Sequence, residues 1–186
     1  MAGSQVDMSH RVRRFEPADR QKMATFASAL PEHDLLFLGR DLRHPRVVEA
    51  WLGAIAEGWI DSLVAEDEGD GAVIGTAALV RDPLGWSPHV GEVRLLVSAE
   101  RRGVGLGRDL LEGVFAIARE RGLAKLTARM TPDQAGAVSL FESLGFRGEA
   151  LLRDHVRDPS GRSFDLAILS YDAGGVAARH EAFGVE

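Results

Sequence analysis

Cysteine is absent from the 186-residue chain, and aromatic residues make up only 6% of it. Without cysteine, the chain cannot form disulfides, thiolate metal sites or a cysteine nucleophile. No run of 18 or more apolar residues is present to cross a bilayer. The first nine residues lack the charged start and apolar centre of a secretory signal, and six scattered histidines show no metal-ligand spacing. We therefore expect a cytoplasmic protein with no metal site and no membrane partner.

An excess of acidic side chains gives the chain a formal net charge of −6. This sign argues against non-specific nucleic-acid binding and mildly favours cationic ligands, although a substrate site often has the opposite sign. Arg153, Arg157 and Arg162 lie close together in the sequence, but no aromatic residues alternate with them as a single-strand binding surface requires. We expect no nucleic-acid partner.

Apolar residues recur with helix and strand periods between residues 10 and 171, in a chain that is 45% hydrophobic and 27% charged. A chain of this length buries about 70% of its unfolded surface, so a single domain with a core and a pocket is expected over 10–171. Residues 1–9 are expected to form a flexible N-terminal tail, 31–43 a loop and 172–186 a loose C-terminal tail. The periods predict strands over 10–15, 62–66, 73–81, 90–98, 123–130, 146–157 and 163–171, and helices over 17–29, 45–58, 108–121 and 132–144.

This order of elements predicts an α/β (α+β) fold with a mixed sheet. The unit from 90 to 130 is a strand, a glycine-rich loop, a helix and a second strand, which is typical of a right-handed parallel crossover. Alternation along 90–98 places Glu92 and Leu96 on one face of the strand and Val93 and Val97 on the other.

Three glycines at alternate positions, Gly103, Gly105 and Gly107, separate the first strand of this unit from its helix. The spacing fits neither the G-x-G-x-x-G dinucleotide fingerprint nor the G-x-x-x-x-G-K-[ST] phosphate loop. Successive amides of residues 102–107 at a helix N-terminus can instead form a cradle for an anion such as a pyrophosphate. Further positive charge is expected from three flanking arginines: Arg101, Arg102 and Arg108.

The stretch from Arg102 to Gly107, R-G-V-G-L-G, resembles the acetyl-CoA signature R/Q-x-x-G-x-G/A of the GNAT superfamily of N-acetyltransferases. The stretch from Ala137 to Phe146, A-V-S-L-F-E-S-L-G-F, is similar to the second family motif, A-x-x-L-Y-x-x-x-G-F. With the order of elements, the resemblance covers about residues 10–171. It implies a three-layer fold whose twisted, mostly antiparallel mixed sheet of about seven strands is flanked by four helices and splayed at the central parallel pair.

The resemblance also implies acetyl-CoA as cosubstrate, with its pantetheine along the strand that ends at Val97 and its pyrophosphate in the 102–107 loop. The splay would leave amides of the Leu96–Ser98 region unpaired, to bind the pantetheine and polarise the thioester carbonyl. Gln134 takes the position of the motif's asparagine. The expected acetyl-CoA contacts are Leu96, Val97, Ser98, Arg101, Arg102, Gly103, Val104, Gly105, Leu106, Gly107, Arg108, Gln134 and Phe141.

An alkyl ammonium is only about one part in a thousand neutral at pH 7, so attack on a thioester needs a base. Glu92 occupies a position similar to that of the glutamate base of several GNAT enzymes, which often acts through water. Its alternative role is a structural carboxylate paired with Arg94 or Arg81. His89 is the second candidate base.

Phe141 stands where many family members have the tyrosine that protonates the leaving thiolate. Tyr171, the only tyrosine, lies at the end of the last strand and is expected to be structural. Two functions stay open: acetyl transfer to a primary amine of a small molecule or a protein, and a non-catalytic acyl-CoA sensor. Asp34, Asp41 and Asp154 are candidate contacts for a cationic amine or plain surface charges, and a homodimer is left open.

Overall fold

Seven strands and four α-helices make up most of residues 9–173, the part of the chain that the computed structural model describes. The strands are β1 (His10–Arg14), β2 (Ile60–Asp67), β3 (Val73–Arg81), β4 (Val90–Val97), β5 (Lys125–Met130), β6 (Arg147–Arg157) and β7 (Ser163–Asp172). The helices are α1 (Arg20–Ala29), α2 (Pro45–Ala56), α3 (Leu106–Glu120) and α4 (Ala135–Ser143).

The strands form one sheet in the order β1-β2-β3-β4-β5-β7-β6. All neighbouring strands are antiparallel except β4 and β5, which run parallel and are connected through α3. The expected mixed, mostly antiparallel sheet with four α-helices is confirmed.

Helices cover both faces of the sheet, and each face has its own apolar core. On one face, Leu110 and Val114 of α3 are buried against β4 residues that include Val93. On the other face, Met23 of α1 and Val48 of α2 join Leu96 in a second core. Alternating side chains of β4 therefore serve opposite layers, as the sequence pattern predicts.

The prediction of a loop over 31–43 is wrong in its first half, where Glu32–Leu38 forms a 3₁₀ helix. The segment buries Leu35 and Phe37 in the second core, so tertiary packing orders a stretch that has no 3.6-residue apolar period. It ends at Gly39, whose φ of 70° lies in the left-handed region.

Boundaries shift elsewhere by one to three residues, as at α3, which begins at Leu106 rather than 108. Asp172, expected in the C-terminal tail, is the last residue of β7, and the Ala173 amide donates to the Ala124 carbonyl at 2.8 Å. The remaining expectations for the two tails fall on residues 1–8 and 174–186, outside the described residues.

A charge cluster fastens β1 and α1 to β2. The Arg13 guanidinium donates to Glu66 at 2.6 Å and to Asp19 at 2.7 Å, and Lys22 Nζ donates to Glu66 at 2.8 Å. Hydrogen bonds from Arg13 and Lys22 lower the pKa of Glu66 to about 2, although its burial opposes the shift. A carboxyl with a lowered pKa stabilises the folded state only while it is ionised.

We predict that the free energy of unfolding decreases as the pH falls from about 4.5 towards 2, because Glu66 then takes up a proton in the unfolded state first. Glu66→Gln should cost roughly 2–3 kcal/mol at pH 7 and almost nothing at pH 2. Urea unfolding at both pH values measures the difference. The exposed neighbour Glu68, changed to Gln, is the control, and an equal loss in the two variants would contradict the assignment.

Candidate active site

The two parallel strands separate at the centre of the sheet. Pairing between β4 and β5 ends at Val93 and Ala128, although β4 continues to Val97 and β5 to Met130. The expected splay is therefore present, and it opens the sheet beyond Val93.

Fewer backbone amides are free at this opening than the sequence analysis predicted for the Leu96–Ser98 region. The Ser98 amide donates to the Ile74 carbonyl of β3 at 2.9 Å, so the expectation of an unpaired Ser98 amide is wrong. Because antiparallel pairing alternates, the Leu96 amide also faces β3, whereas the Val97 amide faces the opening. Val97 is the one residue of the Leu96–Ser98 group whose amide is directed at the splay.

The glycine-rich loop continues this opening at the N-terminus of α3. Gly103 and Gly105 have φ values of 77° and 92°, which residues with a side chain rarely adopt. A Cβ at either position would meet open space. Within the described residues, no hydrogen bond uses the backbone amides of 103–107. Five consecutive free amides at a helix N-terminus are suited to bind an anion, so the geometry is compatible with the cradle expected from the glycine spacing.

Gly107 has a different role from the other two glycines. A Cβ at this position would lie 2.9 Å from Leu140 Cδ2 of α4 and 3.5 Å from Leu95 Cδ2 of β4. The third glycine thus lets α3 pack closely against α4 and β4 beneath the splay.

The flanking arginines are less available than expected. Arg101 pairs with Asp67 of β2, and the Arg102 guanidinium binds Asp34 and, at 3.2 Å, the Val97 carbonyl. Only Arg108 of the three has no carboxylate partner among the described residues, and it donates to Ser143 Oγ at 3.1 Å. The helix N-terminus and Arg108 therefore supply most of the positive potential at the cradle.

Asp34 connects three elements around the site, a role that sequence reasoning missed. It is 9% exposed, pairs with Arg102 of the glycine loop and accepts from Gln134 Nε2 at 3.4 Å at the start of α4. Asp34 and Asp41 are thus engaged by protein groups rather than open to a cationic amine, since Asp41 accepts from Arg43 at 2.8 Å. The Asp41–Arg43 pair is local, but the contacts of Asp34 lie 68 and 100 residues apart in the chain and have no local sequence signal.

Glu92 lies one residue before Val93, the last residue of β4 that pairs with β5, and its carboxylate forms two ion pairs. Arg94 Nε donates to Oε1 at 2.7 Å, and Arg129 Nε lies 3.2 Å from Oε2. The carboxylate is 16% exposed. Arg81, the other expected partner, pairs with Asp61 instead.

Arg94 and Arg129, the two partners of Glu92, line a cavity of about 400 Å³, which we call the arginine cleft; Glu92 itself is not one of its lining residues. Its charged lining consists of Arg40, Arg94 and Arg129, and its apolar walls come mainly from α2 and β3, with Val47, Trp51, Ala78 and Val80 among them. A second cavity of about 410 Å³ shares Arg40 and Arg129 with it. The arginine cleft therefore adjoins β4 at Arg94 and β5 at Arg129.

His89 is not brought to the opening. It is exposed in the loop before β4, and its carbonyl accepts from the Ala124 and Lys125 amides in the paired part of the sheet. Three residues of extended chain place it roughly 10 Å from Glu92 and further from the splay.

Phe141 and Tyr171 are both packing residues. Phe141 is 3% exposed, and its ring lies edge-on to Phe146 with centroids 5.0 Å apart. Tyr171 packs edge-on to Phe115 at 5.1 Å. Neither side chain lines the cavities described above.

Comparison with known proteins decides the family. The model of the acetyltransferase (GNAT) family matches residues 29–146. The chain belongs to this family. A relative from Pseudomonas paraeruginosa, the L-methionine sulfoximine/L-methionine sulfone acetyltransferase, is 31% identical over 126 residues, which cover 65% of this chain and 70% of the relative.

Solved structures share the fold. A ribosomal-protein-alanine N-acetyltransferase from Brucella melitensis has a TM-score of 0.73 at 25% identity, over 87% of this chain and 99% of its own. A GNAT phosphinothricin acetyltransferase from Sinorhizobium meliloti, solved with acetyl-CoA, has a TM-score of 0.74 at 22% identity, over 89% of each chain. The GNAT chain spans only 36–43% of the mammalian N-acetyltransferases that it also matches.

The geometry of this GNAT domain fits the cosubstrate of its family. Free amides at 103–107 suit a pyrophosphate, and the Val97 amide at the splay suits the amide groups of a pantetheine. Within residues 9–173, no three metal-ligating side chains cluster, and no helix is long and apolar enough to cross a membrane.

We predict that Gly105→Ala weakens acetyl-CoA binding at least tenfold, because a residue with a Cβ is strained at a φ of 92° and relaxation of this strain would shift the backbone that carries the free amides. Gly161→Ala is the matched control: its φ is 89°, a Cβ there also meets open space, and it lies in the β6–β7 turn. Calorimetric titration with acetyl-CoA measures the affinity, and thermal unfolding compares the strain. Equal affinities in the two variants would refute the cradle.

Proposed function

We propose that the chain is an acetyl-CoA-dependent N-acetyltransferase that acetylates a primary amine by direct attack, with Glu92 as general base. The observation that supports this most strongly is the juxtaposition at the β4–β5 splay. Five free amides and the Val97 amide lie on the donor side, and a carboxylate beside a cavity of about 400 Å³ lies on the acceptor side. A donor and an acceptor can thus meet along β4.

The reaction forms a C–N bond and breaks a C–S bond. The neutral amine adds to the thioester carbonyl, the tetrahedral intermediate expels the CoA thiolate, and the nitrogen loses a proton. The Val97 amide would donate to the thioester oxygen as negative charge develops on it.

Glu92 reduces the cost of producing a neutral amine, which is roughly 4 kcal/mol at pH 7 for an alkyl ammonium. Arg94 and Arg129 occupy one carboxylate oxygen each, so Glu92 takes the proton through a water molecule or after Arg129 withdraws. Arg129 is 47% exposed and has room to withdraw. His89 is the weaker candidate because it lies outside the opening.

No tyrosine is available to protonate the leaving group, since Phe141 is a core residue and Tyr171 packs against Phe115. The CoA thiol has a pKa near that of other thiols, about 8.5, so the thiolate is a good leaving group that solvent can protonate. The mechanism thus needs a base more than an acid.

Glu92→Gln should lower kcat roughly 100-fold near pH 7 and much less above pH 9, where the amine loses its proton unaided. Acetyl-CoA affinity should stay nearly unchanged. The measurement is the pH dependence of CoA release, read with a thiol reagent that the cysteine-free chain cannot consume. If the variant keeps the wild-type pH profile, Glu92 is not the base.

Tyr171→Phe should leave kcat and its pH dependence unchanged, because the hydroxyl is not needed at the thiolate. A drop in kcat that is largest at low pH and disappears as the pH rises towards about 10, where a tyrosine loses its proton, would instead identify Tyr171 as the general acid. Thermal unfolding of the same variant separates a packing defect from a chemical one.

The substitution of Phe141 for the family tyrosine also favours a second candidate function, a non-catalytic acyl-CoA sensor. Tight acetyl-CoA binding without CoA release on a broad amine panel would support it. The relatives' names point to different amines, an amino-acid derivative in one and a protein alanine in another, so they do not choose the acceptor.

A further inference from the structure

The arginine cleft has an unbalanced charge. Its lining contains three guanidiniums and no carboxylate among the described residues. Glu92 lies beside it and is shared between Arg94 and Arg129, so one carboxylate faces two cations there. The group formed by Glu92, Arg94 and Arg129 therefore keeps a net charge of one positive unit.

Arg40 adds a second uncompensated charge. It follows Gly39 at the end of the Glu32–Leu38 segment, is exposed, and has no ion pair or hydrogen bond to any side chain within residues 9–173. It lines both the arginine cleft and the neighbouring cavity. Because Arg40 has no partner to give up in the described part of the chain and lies between two cavities, its guanidinium can bind an anion with little cost in desolvation of the arginine.

The acidic residues of the neighbouring cavity do not neutralise Arg40. Asp41 and Glu32 both accept from Arg43, at 2.8 Å and 3.0 Å. Their charge is already balanced in part by that guanidinium. The positive potential between the two cavities is thus local, in a chain whose net charge is −6.

We propose that the acceptor is an amine that also carries a carboxylate, which Arg40 and Arg129 bind, while the walls of the arginine cleft hold an aliphatic or aromatic side chain. An apolar α-amino acid has this chemistry. The inference rests on the proposed acetyl transfer and narrows its acceptor. It disfavours polyamines and other polycations, because three guanidiniums would repel them.

A carboxylate on Arg129 would have a second effect. Arg129 Nε is 3.2 Å from Glu92 Oε2, so an acceptor carboxylate competes with Glu92 for the same guanidinium. Engaging Arg129 would leave that oxygen free to take a proton from the acceptor's amine, directly or through water. The acceptor would thereby assist in releasing its own base.

The first experiment compares acceptors that differ only in the carboxylate: leucine with leucinamide, and phenylalanine with phenylalaninamide. We expect kcat/KM for each amino acid to exceed that for its amide by roughly 10- to 100-fold. The amides lose their ammonium proton more readily, so greater intrinsic reactivity cannot explain a preference for the acids. Equal or better use of the amides, or a preference for spermidine, would overturn the proposal.

Variants locate the discrimination. Arg40→Gln should reduce kcat/KM for the amino acids to about that for the amides, mainly through KM, and leave the amides unaffected. Arg40 has no partner among the described residues, so the melting temperature should not change. Arg119→Gln removes the same charge from an exposed position of α3 and should change neither the preference for amino acids over their amides nor the melting temperature. Retained discrimination in Arg40→Gln would overturn the assignment.

A binding measurement separates this inference from the proposed activity. Calorimetry with 4-methylpentanoate and 4-methylpentanamide probes the cleft without an amine. One outcome would refute the acetyl transfer and support the anion site. In that outcome no amine releases CoA, 4-methylpentanoate binds whereas 4-methylpentanamide does not, and Arg40→Gln abolishes the binding of 4-methylpentanoate. If neither amino acids nor 4-methylpentanoate are recognised over their amides, the anion site is refuted.

Discussion

Separation of two parallel strands is the constraint on which the site depends. β4 and β5 pair only as far as Val93 and Ala128, and beyond that point the only strand of the described chain that pairs with β4 is β3. Unpaired backbone in the middle of a sheet is costly unless another donor or acceptor replaces the missing strand. The structure already meets part of this need, because Arg102 binds the Val97 carbonyl. A ligand with amide groups can meet the rest.

Helix α3 begins at that gap, and a glycine in its first turn allows it to pack closely against its neighbours. A Cβ at Gly107 would lie 2.9 Å from Leu140, so the absent side chain allows the first turn of α3 to approach α4 and β4. Gly103 and Gly105 then adopt the left-handed backbone of a loop whose amides have no acceptor among the described residues. One glycine of the motif thus allows close packing, and the other two shape the loop proposed to bind the pyrophosphate.

Arginines are used in two ways around the site. Arg101, Arg102 and Arg43 are paired with carboxylates and fasten loops to the sheet, whereas Arg40 is left without one among the described residues. Buried or half-buried ion pairs fix geometry, and an unpaired guanidinium at a cavity is available for a ligand. Arginine therefore has two roles here: paired arginines stabilise the loops around the site, and Arg40, unpaired within residues 9–173, is the proposed anion-binding residue.

The sequence by itself determined the element order, the mixed sheet with one parallel pair and the position of the glycine-rich loop before α3, because apolar period and glycine spacing are local signals. It could not show that the Asp34 carboxylate binds Arg102, that Arg129 is the second partner of Glu92, or that Glu32–Leu38 is ordered. Partners 35 to 70 residues apart leave no periodic trace. The tertiary structure alone decided these pairings, since charge neutralisation and packing choose among many equivalent arginines only when the chain has folded.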